Sequence, residues 1–496
     1  MTTFASPESA RAAVVDLGSN SVRLVVFEGR GRNPAAIFNE KAVLRLGQGL
    51  QDTGRLNAEG VEQALTVMDR YHAIARAMRA SPFEVLGTAA VRDAENGPAF
   101  VAALQARMPG VAIRVLSGGE EAELSARGLL CGIPDADGVL ADIGGGSLEL
   151  VRLHAGRPGE VKTLRLGVIR LAERAGGDMV RARAIAEVDL AGVPWLAEGM
   201  GRDLYVVGGA WRALARIHIA QTGYPLNMIH HYTVAANEAR EIAGMIAGAT
   251  RRTLERIPGV PRRRTDDLPY AAVVMRRVLR ASGARRVVFS ADGLREGWYM
   301  GLLSEAGRRA DPVLAAAHEL ARHYGRHPTL PEALLAWTAP LFPDETADAR
   351  RLREAACWSS DIGAHDHPDY RAEQAFFRIL RQPGVGMDHQ ARAVLGLTLA
   401  VRYEAEPDAP FLAVARGLLA PSAVRWATVL GCALRLAYTL SAGTPELLAA
   451  TRLDLDGALT LVLTRGSGVF AGESITRRLD RLATAVGVNA ATRIAA

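Results

Sequence analysis

The sequence predicts an α/β region made of two related halves, followed by a mostly helical region. Three observations carry this reading. First, Val14–Arg23 and Leu140–Glu149 share one plan: an apolar run, a single Asp, a Gly-rich turn ending in Ser, and a second apolar run. Asp16, Gly18 and Ser21 recur as Asp142, Gly144 and Ser147 at one common offset of 126 positions (16 to 142, 18 to 144, 21 to 147). Second, short apolar strands running into glycines alternate with helical stretches, as expected for a mixed sheet with flanking helices. Third, strand signals vanish from Asp311, and Ala, Leu and Arg at helical spacing dominate to Arg452.

The elements follow in order. Ala12–Phe27 reads as a hairpin around the Asp16–Ser21 turn, and Leu46–Leu50 as a glycine-punctuated loop. Asn57 is placed to cap a helix reaching Met78, with Val61, Leu65, Met68, Tyr71 and Ile74 on one face. A strand at Phe83–Leu86 meets Gly87-Thr88, with Arg92 just beyond. Another at Ala112–Leu116 enters Ser117-Gly118-Gly119-Glu120-Glu121 and a helix through Leu130. In the second half the Asp142 hairpin is followed by a strand at Tyr205–Val207, the pair Gly208-Gly209 and a helix to Ile217. A strand at Arg285–Phe289 then leads to Ser290–Gly297. Arg262–Arg264, following Pro258 and Pro261, reads as a solvated loop. Leu459–Leu463 and the Gly466–Gly472 loop suggest a small terminal strand pair, and Gly466-Ser467-Gly468 lacks the third glycine of a dinucleotide fingerprint. The expected domains are 1–132, 133–308 and 309–496.

Composition narrows the function classes. A chain of 496 residues, 49% apolar and 23% charged, has room for several cores and a cleft. The three cysteines, Cys131, Cys357 and Cys432, are far apart and odd in number, which argues against disulfides and for a reducing, cytoplasmic setting. Met1–Ala10 lacks the basic flank and apolar run of a secretory signal, and Trp426–Leu440, interrupted by Arg435, is too short to span a bilayer. No membrane or nucleic-acid partner is expected. The net charge of +6 fits a polyanionic ligand, and almost all the basic residues besides Lys41 and Lys162 are arginines, whose forks grip phosphate oxygens. A GC-rich genome accounts for the same bias. Without a Gly-Lys-Ser/Thr triplet, a Walker-type nucleotide loop is excluded.

The chemistry centres on the two turns. Three successive glycines, Gly144, Gly145 and Gly146, carry a backbone-entropy cost that an ordinary turn has no need of, but they bare main-chain N–H groups to an anion, with Ser147 beside them. Gly18, Ser19, Asn20 and Ser21 offer amide and hydroxyl donors in the first copy, and Arg23 shares a strand face with Ser21. Asp142, and Asp16 in the matching place, are candidate Mg²⁺ ligands, with Glu149 as a further carboxylate. Arg92 is a candidate phosphate clamp, and Gly208 and Gly209 a further phosphate-contacting turn. Glu120 and Glu121 open a helix, where capping is the ordinary role. Beside two phosphate loops, a carboxylate there becomes a candidate general base. In the helical region His318, His323, Asp361, His365, Asp366 and His367 suggest a His-Asp metal cluster, but Ser360 stands where such a site wants His.

Taken together, the Asp16–Ser21, Leu46–Leu50, Gly87-Thr88 with Arg92, Ser117–Ala122, Asp142–Ser147 and Gly293–Gly297 segments resemble the exopolyphosphatase / guanosine-pentaphosphate phosphatase family, within the actin, sugar kinase and Hsp70 ATPase superfamily. The resemblance implies two ribonuclease-H-like domains around a central cleft and a helical HD-like C-terminal domain. It implies Glu121 as base and Asp142 as Mg²⁺ ligand, with a monovalent cation as an optional companion, and a homodimer. Leu148 replaces a Thr often found after the serine of the second loop. The leading expectation is Mg²⁺-dependent release of terminal orthophosphate from inorganic polyphosphate, with Glu121, Asp142 and Arg92 catalytic; the long helical extension suits a polymer. The close rival is 5′ hydrolysis of guanosine pentaphosphate. A sugar or acetate kinase, needing an adenosine pocket near Gly208-Gly209, and a non-catalytic polyphosphate or alarmone sensor are the remaining readings.

Overall fold

A computed structural model describes residues 10–382, 386–464 and 472–495. It divides into two compact units, 1–309 and 310–496.

The first unit holds two sheets. The first contains β1 (Arg11–Leu17), β2 (Ser21–Glu28), β3 (Ala35–Val43), β4 (Phe83–Gly87) and β5 (Ala112–Val115), in the order β3-β2-β1-β4-β5. The second contains β6 (Gly138–Ile143), β7 (Leu148–His154), β8 (Arg157–Leu164), β9 (Asp203–Val207), β10 (Tyr232–Ala235) and β11 (Arg286–Phe289), in the order β10-β11-β9-β6-β7-β8. Setting aside the appended β10, the two orders are the same, which is the fold class expected: two ribonuclease-H-like lobes. β1 and β2 pair antiparallel with Asp16 opposite Arg23, and β6 and β7 pair likewise with Asp142 opposite Glu149. The strands β3, β8 and β10 are absent from the sequence reading. β3 and β8 alternate poorly because most of their residues are exposed.

Strand alternation then decides which side chains meet. Ala13, Val15 and Leu17 of β1 join a core with the helix Ala58–Ala77, whose N-cap Asn57 accepts the Gly60 amide. Ala12 and Val14 join a different core on the opposite face, formed with the helix Leu294–Gly301. In the second sheet Val139, Ala141 and Ile143 face the outer helices, while Leu140, Val151 and Leu153 pack on the helix Gly118–Gly132. By period-2 parity Asp16, Arg23, Asp142 and Glu149 lie on the inner faces.

The two inner helices cross with backbone against backbone. A Cβ on Gly128 would lie 1.9 Å from the Gly293 carbonyl oxygen, and one on Gly297 1.8 Å from that of Leu124. The helix that ends the first half thus packs on the second sheet, while the helix that ends the second half packs on the first.

The second unit is helical, with a small sheet of β12 (Thr451–Asp456), β13 (Ala458–Leu463) and β14 (Asn489–Ile494) in that order. The sequence reading gave only a strand pair here, and its Gly466–Gly468 turn lies outside the described residues. Arg353, 1% exposed, is satisfied by Glu345, the Leu335 carbonyl and the Thr338 hydroxyl. The His-Asp residues do not converge. Asp361 is clasped by Arg326, Asp366 by Arg378, His318 packs edge-on against Trp358, and His365 and His367 are exposed. Guanidiniums supply the positive charge that a metal would otherwise bring to these carboxylates. Among the described residues no group of three or more His, Cys, Asp or Glu forms a metal-type cluster, and no helix is long and apolar enough to cross a membrane.

Helix propensity alone favours Ala over Gly at position 297 by about 1 kcal/mol. The crossing dictates the opposite sign: Gly297→Ala is expected to destabilise the protein by about 2–3 kcal/mol, as for overpacked cores. Chemical denaturation checks this, and a variant as stable as the parent would overturn the crossing as drawn.

Candidate active site

Each Asp turn is closed by the same hydrogen bond, Gly18 N–H to the Ser21 carbonyl (3.1 Å) and Gly144 N–H to the Ser147 carbonyl (3.0 Å). Each is also backed by the segment after its third strand. The amides of Leu44 and Arg45 donate to the Asn20 carbonyl and that of Gly47 to the Ser19 carbonyl. In the second copy Val168 donates to Gly144, and Ile169 and Arg170 to Gly145. With the carbonyls engaged from behind, the amides of Ser19, Asn20, Gly145 and Gly146 have no acceptor among the described residues. Rows of unpaired N–H groups of this kind suit an anion.

The turns face one another. A Cβ on Gly145 would lie 3.1 Å from the Ser19 Cβ, and one on Gly146 2.8 Å from the Ser19 Oγ. Missing side chains on the second loop therefore let the first loop approach. They border a cleft of about 160 Å³, whose wall includes Asp16, Gly18, Ser19, Asn20, Ser21, Arg23, Glu121, Asp142, Gly144–Ser147, Glu149, Gly208 and Gly209. Of the sequence-predicted site residues, Arg92 alone is missing from that wall. Its Nη1 instead donates to Glu121 Oε2 at 3.1 Å and to the Leu116 carbonyl at 3.0 Å. Behind it Asp93 accepts from Arg92 Nε (3.2 Å) and from Arg170 Nη1 (2.6 Å). A chain of charges thus links the second glycine loop, through Arg170, to Glu121.

The carboxylates occupy unequal settings. Glu120 folds back on Ser117 in a capping box, which leaves Glu121 to point into the cleft. Burial pushes the Glu121 carboxyl up to about 7, against the pull of Arg92 and with help from Asp142 and Asp16. Burial likewise raises Asp142, which accepts a hydrogen bond from the Ser125 hydroxyl, and Asp16, which pairs with Arg295 Nη1 at 3.3 Å. Glu149 is 2% exposed, its Oε1 has no partner, and burial beside Glu121 and Asp142 raises it well above the ordinary carboxylate range. A buried orphan oxygen among desolvated carboxylates calls for a proton or a cation.

Cations line the same cleft. Burial lowers Lys41 to about 8 and Arg212 to about 10, with the neighbouring arginines adding to both shifts. Arg295 carries a buried Nε without a partner. Arg264 departs from the solvated loop expected of Arg262–Arg264: that run forms a short 3-10 turn, and the Arg264 guanidinium packs over Gly209, 2.2 Å from where a Cβ would stand. Lys41, Ser125, Arg212, Arg264 and Arg295 went unread as site residues. Two left traces in the sequence: Ser125 lies one helical turn after Glu121, and Arg295 sits inside the Gly293–Gly297 motif.

The Ppx/GppA phosphatase family matches residues 10–306, and the exopolyphosphatase C-terminal family matches residues 313–492. Exopolyphosphatase 2 of Mycobacterium tuberculosis is 29% identical over 293 residues, spanning 54% of this chain and 90% of that protein. Exopolyphosphatase 1 of Mycobacterium bovis is 28% identical over 331 residues, spanning 64% and 96%. The crystal structure of an exopolyphosphatase from Cytophaga hutchinsonii shares the fold, with a TM-score of 0.53 at 23% identity over 58% of this chain and 96% of that one. With facing anion-binding turns, a buried carboxylate between them and a family match over more than half its length, the chain belongs to the Ppx/GppA phosphatases and is a phosphoanhydride hydrolase.

Proposed function

We propose that this hydrolase is an exopolyphosphatase, releasing terminal orthophosphate from inorganic polyphosphate. The observation that carries the reading is the apposition of the Ser19 and Gly145–Gly146 loops, whose unpaired amides would frame one phosphoryl group, with Glu121 in the same wall. In this mechanism the amides of both loops hold the terminal phosphoryl oxygens. Arg23, Arg212 and Arg295 balance its charge, and Lys41 and Arg264 hold the next phosphates. Glu121 accepts a proton from the attacking water, whose oxygen bonds to phosphorus as the bridging P–O bond breaks toward the chain. Arg92, kept in place by Asp93 and Arg170, fixes the Glu121 carboxylate. The donor set fits Mg²⁺: Asp142 and Glu149, with the orphan Glu149 oxygen, would hold it, and it would supply charge neutralisation at the phosphate oxygens. Asp16, expected as a third ligand, already has Arg295 as counterion, so in this proposal it orients that arginine.

Arg264 packs over Gly209, which weighs against an adenosine pocket at that turn and so against the kinase reading. Guanosine pentaphosphate remains a second reading on one observation. A cavity of about 1280 Å³ adjoins the cleft at Asn20 and Lys41, and it mixes Met179, Pro269 and Tyr270 with Asp266 and Asp267. A polyphosphate tail needs only cations, whereas apolar and acidic groups suit a nucleoside. Phosphate release from long-chain polyphosphate and from guanosine pentaphosphate, measured side by side, decides between them. A larger kcat/KM for polyphosphate is expected, and a preference for the nucleotide would reverse the order of the two readings.

Glu121→Gln is expected to lower kcat by about 100-fold or more, with little change in KM, the scale of a lost general base. Turnover at the parent rate would remove Glu121 from the mechanism.

The pH dependence has two signs. Activity needs the Glu121 carboxylate, so kcat/KM is expected to rise with pH as that upshifted carboxyl ionises. Stability runs the other way. Because its folded-state affinity for protons exceeds that of the unfolded chain, Glu121 makes the metal-free protein less stable as pH rises between about 4.5 and about 7. In EDTA, Glu121→Gln should flatten that decline and melt higher than the parent at neutral pH. A steeper decline in the variant would contradict the assignment.

A further inference from the structure

Among the described residues Lys41 is the one lysine in the wall of the cleft, and the other cations there are arginines. Lys41 of β3 stands directly opposite Arg23 of β2, which stands opposite Asp16 of β1, so the three form one row across the inner face of the first sheet. Like charges directly opposite one another destabilise a sheet, so an Arg–Lys pair here points to an anion rather than to folding. The fold itself does not require the lysine: the matching row of the second sheet runs Asp142, Glu149, Thr163. Lys41 also lies where two hollows meet. It borders the phosphate cleft, and it borders the adjoining cavity of about 1280 Å³, whose wall carries Met179, Pro269 and Tyr270.

Chemically the residue is unlike its neighbours. Arg23 donates to the Asn39 side chain (2.7 Å), Arg212 to the Ala291 carbonyl (2.8 Å), Arg264 faces Asp267 at 3.9 Å, and Arg295 pairs with Asp16. Among the described residues no hydrogen bond or ion pair of this kind engages the Lys41 ammonium. Burial first, and then Arg264, Arg23 and Arg212, hold Lys41 down to about 8 against the pull of Asp16, with Asp267 as a second nearby carboxylate. The neutral amine therefore makes up about a tenth of this side chain at pH 7, against less than about a thousandth for an ordinary lysine. Arginine offers no such nucleophile, because it stays charged. Lys41 nonetheless keeps contact with solvent. The second lysine of the sequence, Lys162, is exposed on β8 and lies outside the cleft wall.

We propose that Lys41 is an acylation site, at which a small acyl phosphate seated by the two glycine loops transfers its acyl group to the side chain. This rests on the reading of the cleft as a phosphate site. An acyl phosphate carries a carbonyl carbon one bridging oxygen beyond its phosphoryl group, where polyphosphate has its second phosphorus. Lys41 is the residue assigned to that second phosphate, and the larger cavity offers apolar side chains to the acyl tail. In the step the Nζ lone pair attacks the carbonyl carbon. The N–C bond forms, the bond from that carbon to the bridging oxygen breaks, and orthophosphate departs with the amine's proton; nothing is oxidised or reduced. The amide left behind is uncharged, so a cation is lost from the place that holds the second phosphate, and polyphosphate binds more weakly. Acyl phosphates thereby act as covalent brakes on the hydrolase.

The test incubates the full chain with acetyl phosphate in EDTA at neutral pH and maps modified lysines by peptide mass spectrometry, with Lys162 as the internal reference. Acetylation of Lys41 is expected to outrun that of Lys162 by at least about 10-fold, from its amine fraction and the seating of the phosphate. Tripolyphosphate should suppress labelling of Lys41 and leave that of Lys162 unchanged. N-hydroxysuccinimide acetate, which carries no phosphate, separates seating from bare reactivity, and its Lys41-to-Lys162 ratio should be the lower of the two. Once Mg²⁺ is restored, the acetylated parent should show a KM for tripolyphosphate raised by about 10-fold, the scale of one charge-assisted hydrogen bond. Lys41→Arg, treated in the same way, should keep the KM it had before treatment. Equal labelling of the two lysines by acetyl phosphate, or a ratio no higher than with the phosphate-free reagent, would overturn the proposal. Isothermal titration of tripolyphosphate into the untreated parent and into Arg295→Gln tests the cleft by itself. Binding that Arg295→Gln weakens leaves the cleft reading standing, so failed labelling then counts against the acylation site alone. Absence of such binding overturns the cleft reading and the acylation site with it.

Discussion

The crossing of the helices Gly118–Gly132 and Leu294–Gly301 is the constraint on which the first unit depends. Two sheets, each with one face already covered by outer helices, must bury their inner faces as well, and among the described residues this pair of helices packs on them. The Gly128 and Gly297 contacts bring the helices to backbone distance, and that distance sets how far apart the sheets stand. The separation in turn lets Ser19 reach Gly145 and Gly146. The N-terminal turn of one helix carries Glu121 and that of the other carries Arg295, so the contact that packs the core also brings base and cation to the cleft.

On this repeated frame the chemistry is unequal. Arg23 and Glu149 occupy equivalent places, each opposite the Asp of its own hairpin, yet one is a cation and the other a carboxylate. Arg23 thereby gives Asp16 a second positive neighbour beside Arg295, whereas Glu149 sets a further buried carboxylate beside Asp142 and Glu121. The first hairpin thus pairs its aspartate with a cation of its own, while the second gathers carboxylates, with Arg212 and Arg295 as the nearby cations of Asp142. A doubled fold becomes a directional site through one such exchange of charge at matched positions.

The second unit solves the buried-charge problem with arginine. Arg326 on Asp361, Arg378 on Asp366 and Arg353 on Glu345 fill carboxylate sites within the helical core. Removing one partner of such a pair is far more damaging than the pair's net worth, since an uncompensated charge is left behind. In contrast, Arg435 and Arg478 share the single carboxylate of Glu404.

Much of the fold was legible in the chain itself, because it depends on local rules. The Asp-Gly-Ser offset identified the repeat, alternation put Arg23 on the strand face of Ser21, and Asn57 and the Ser117–Glu120 segment marked helix starts. Edge strands were missed where exposure erased their alternation, as in β3 and β8. Four properties belonged to the tertiary structure alone. The cleft enlists Lys41, Arg212 and Arg264 from distant segments, Arg92 grips Glu121 rather than lining the wall, Arg326 takes Asp361, and burial shifts the carboxylates upward. Side-chain type and spacing are properties of neighbours in sequence and can be read directly. Desolvation and ion pairing depend on which groups share a low-dielectric space, and only the packed chain determines that.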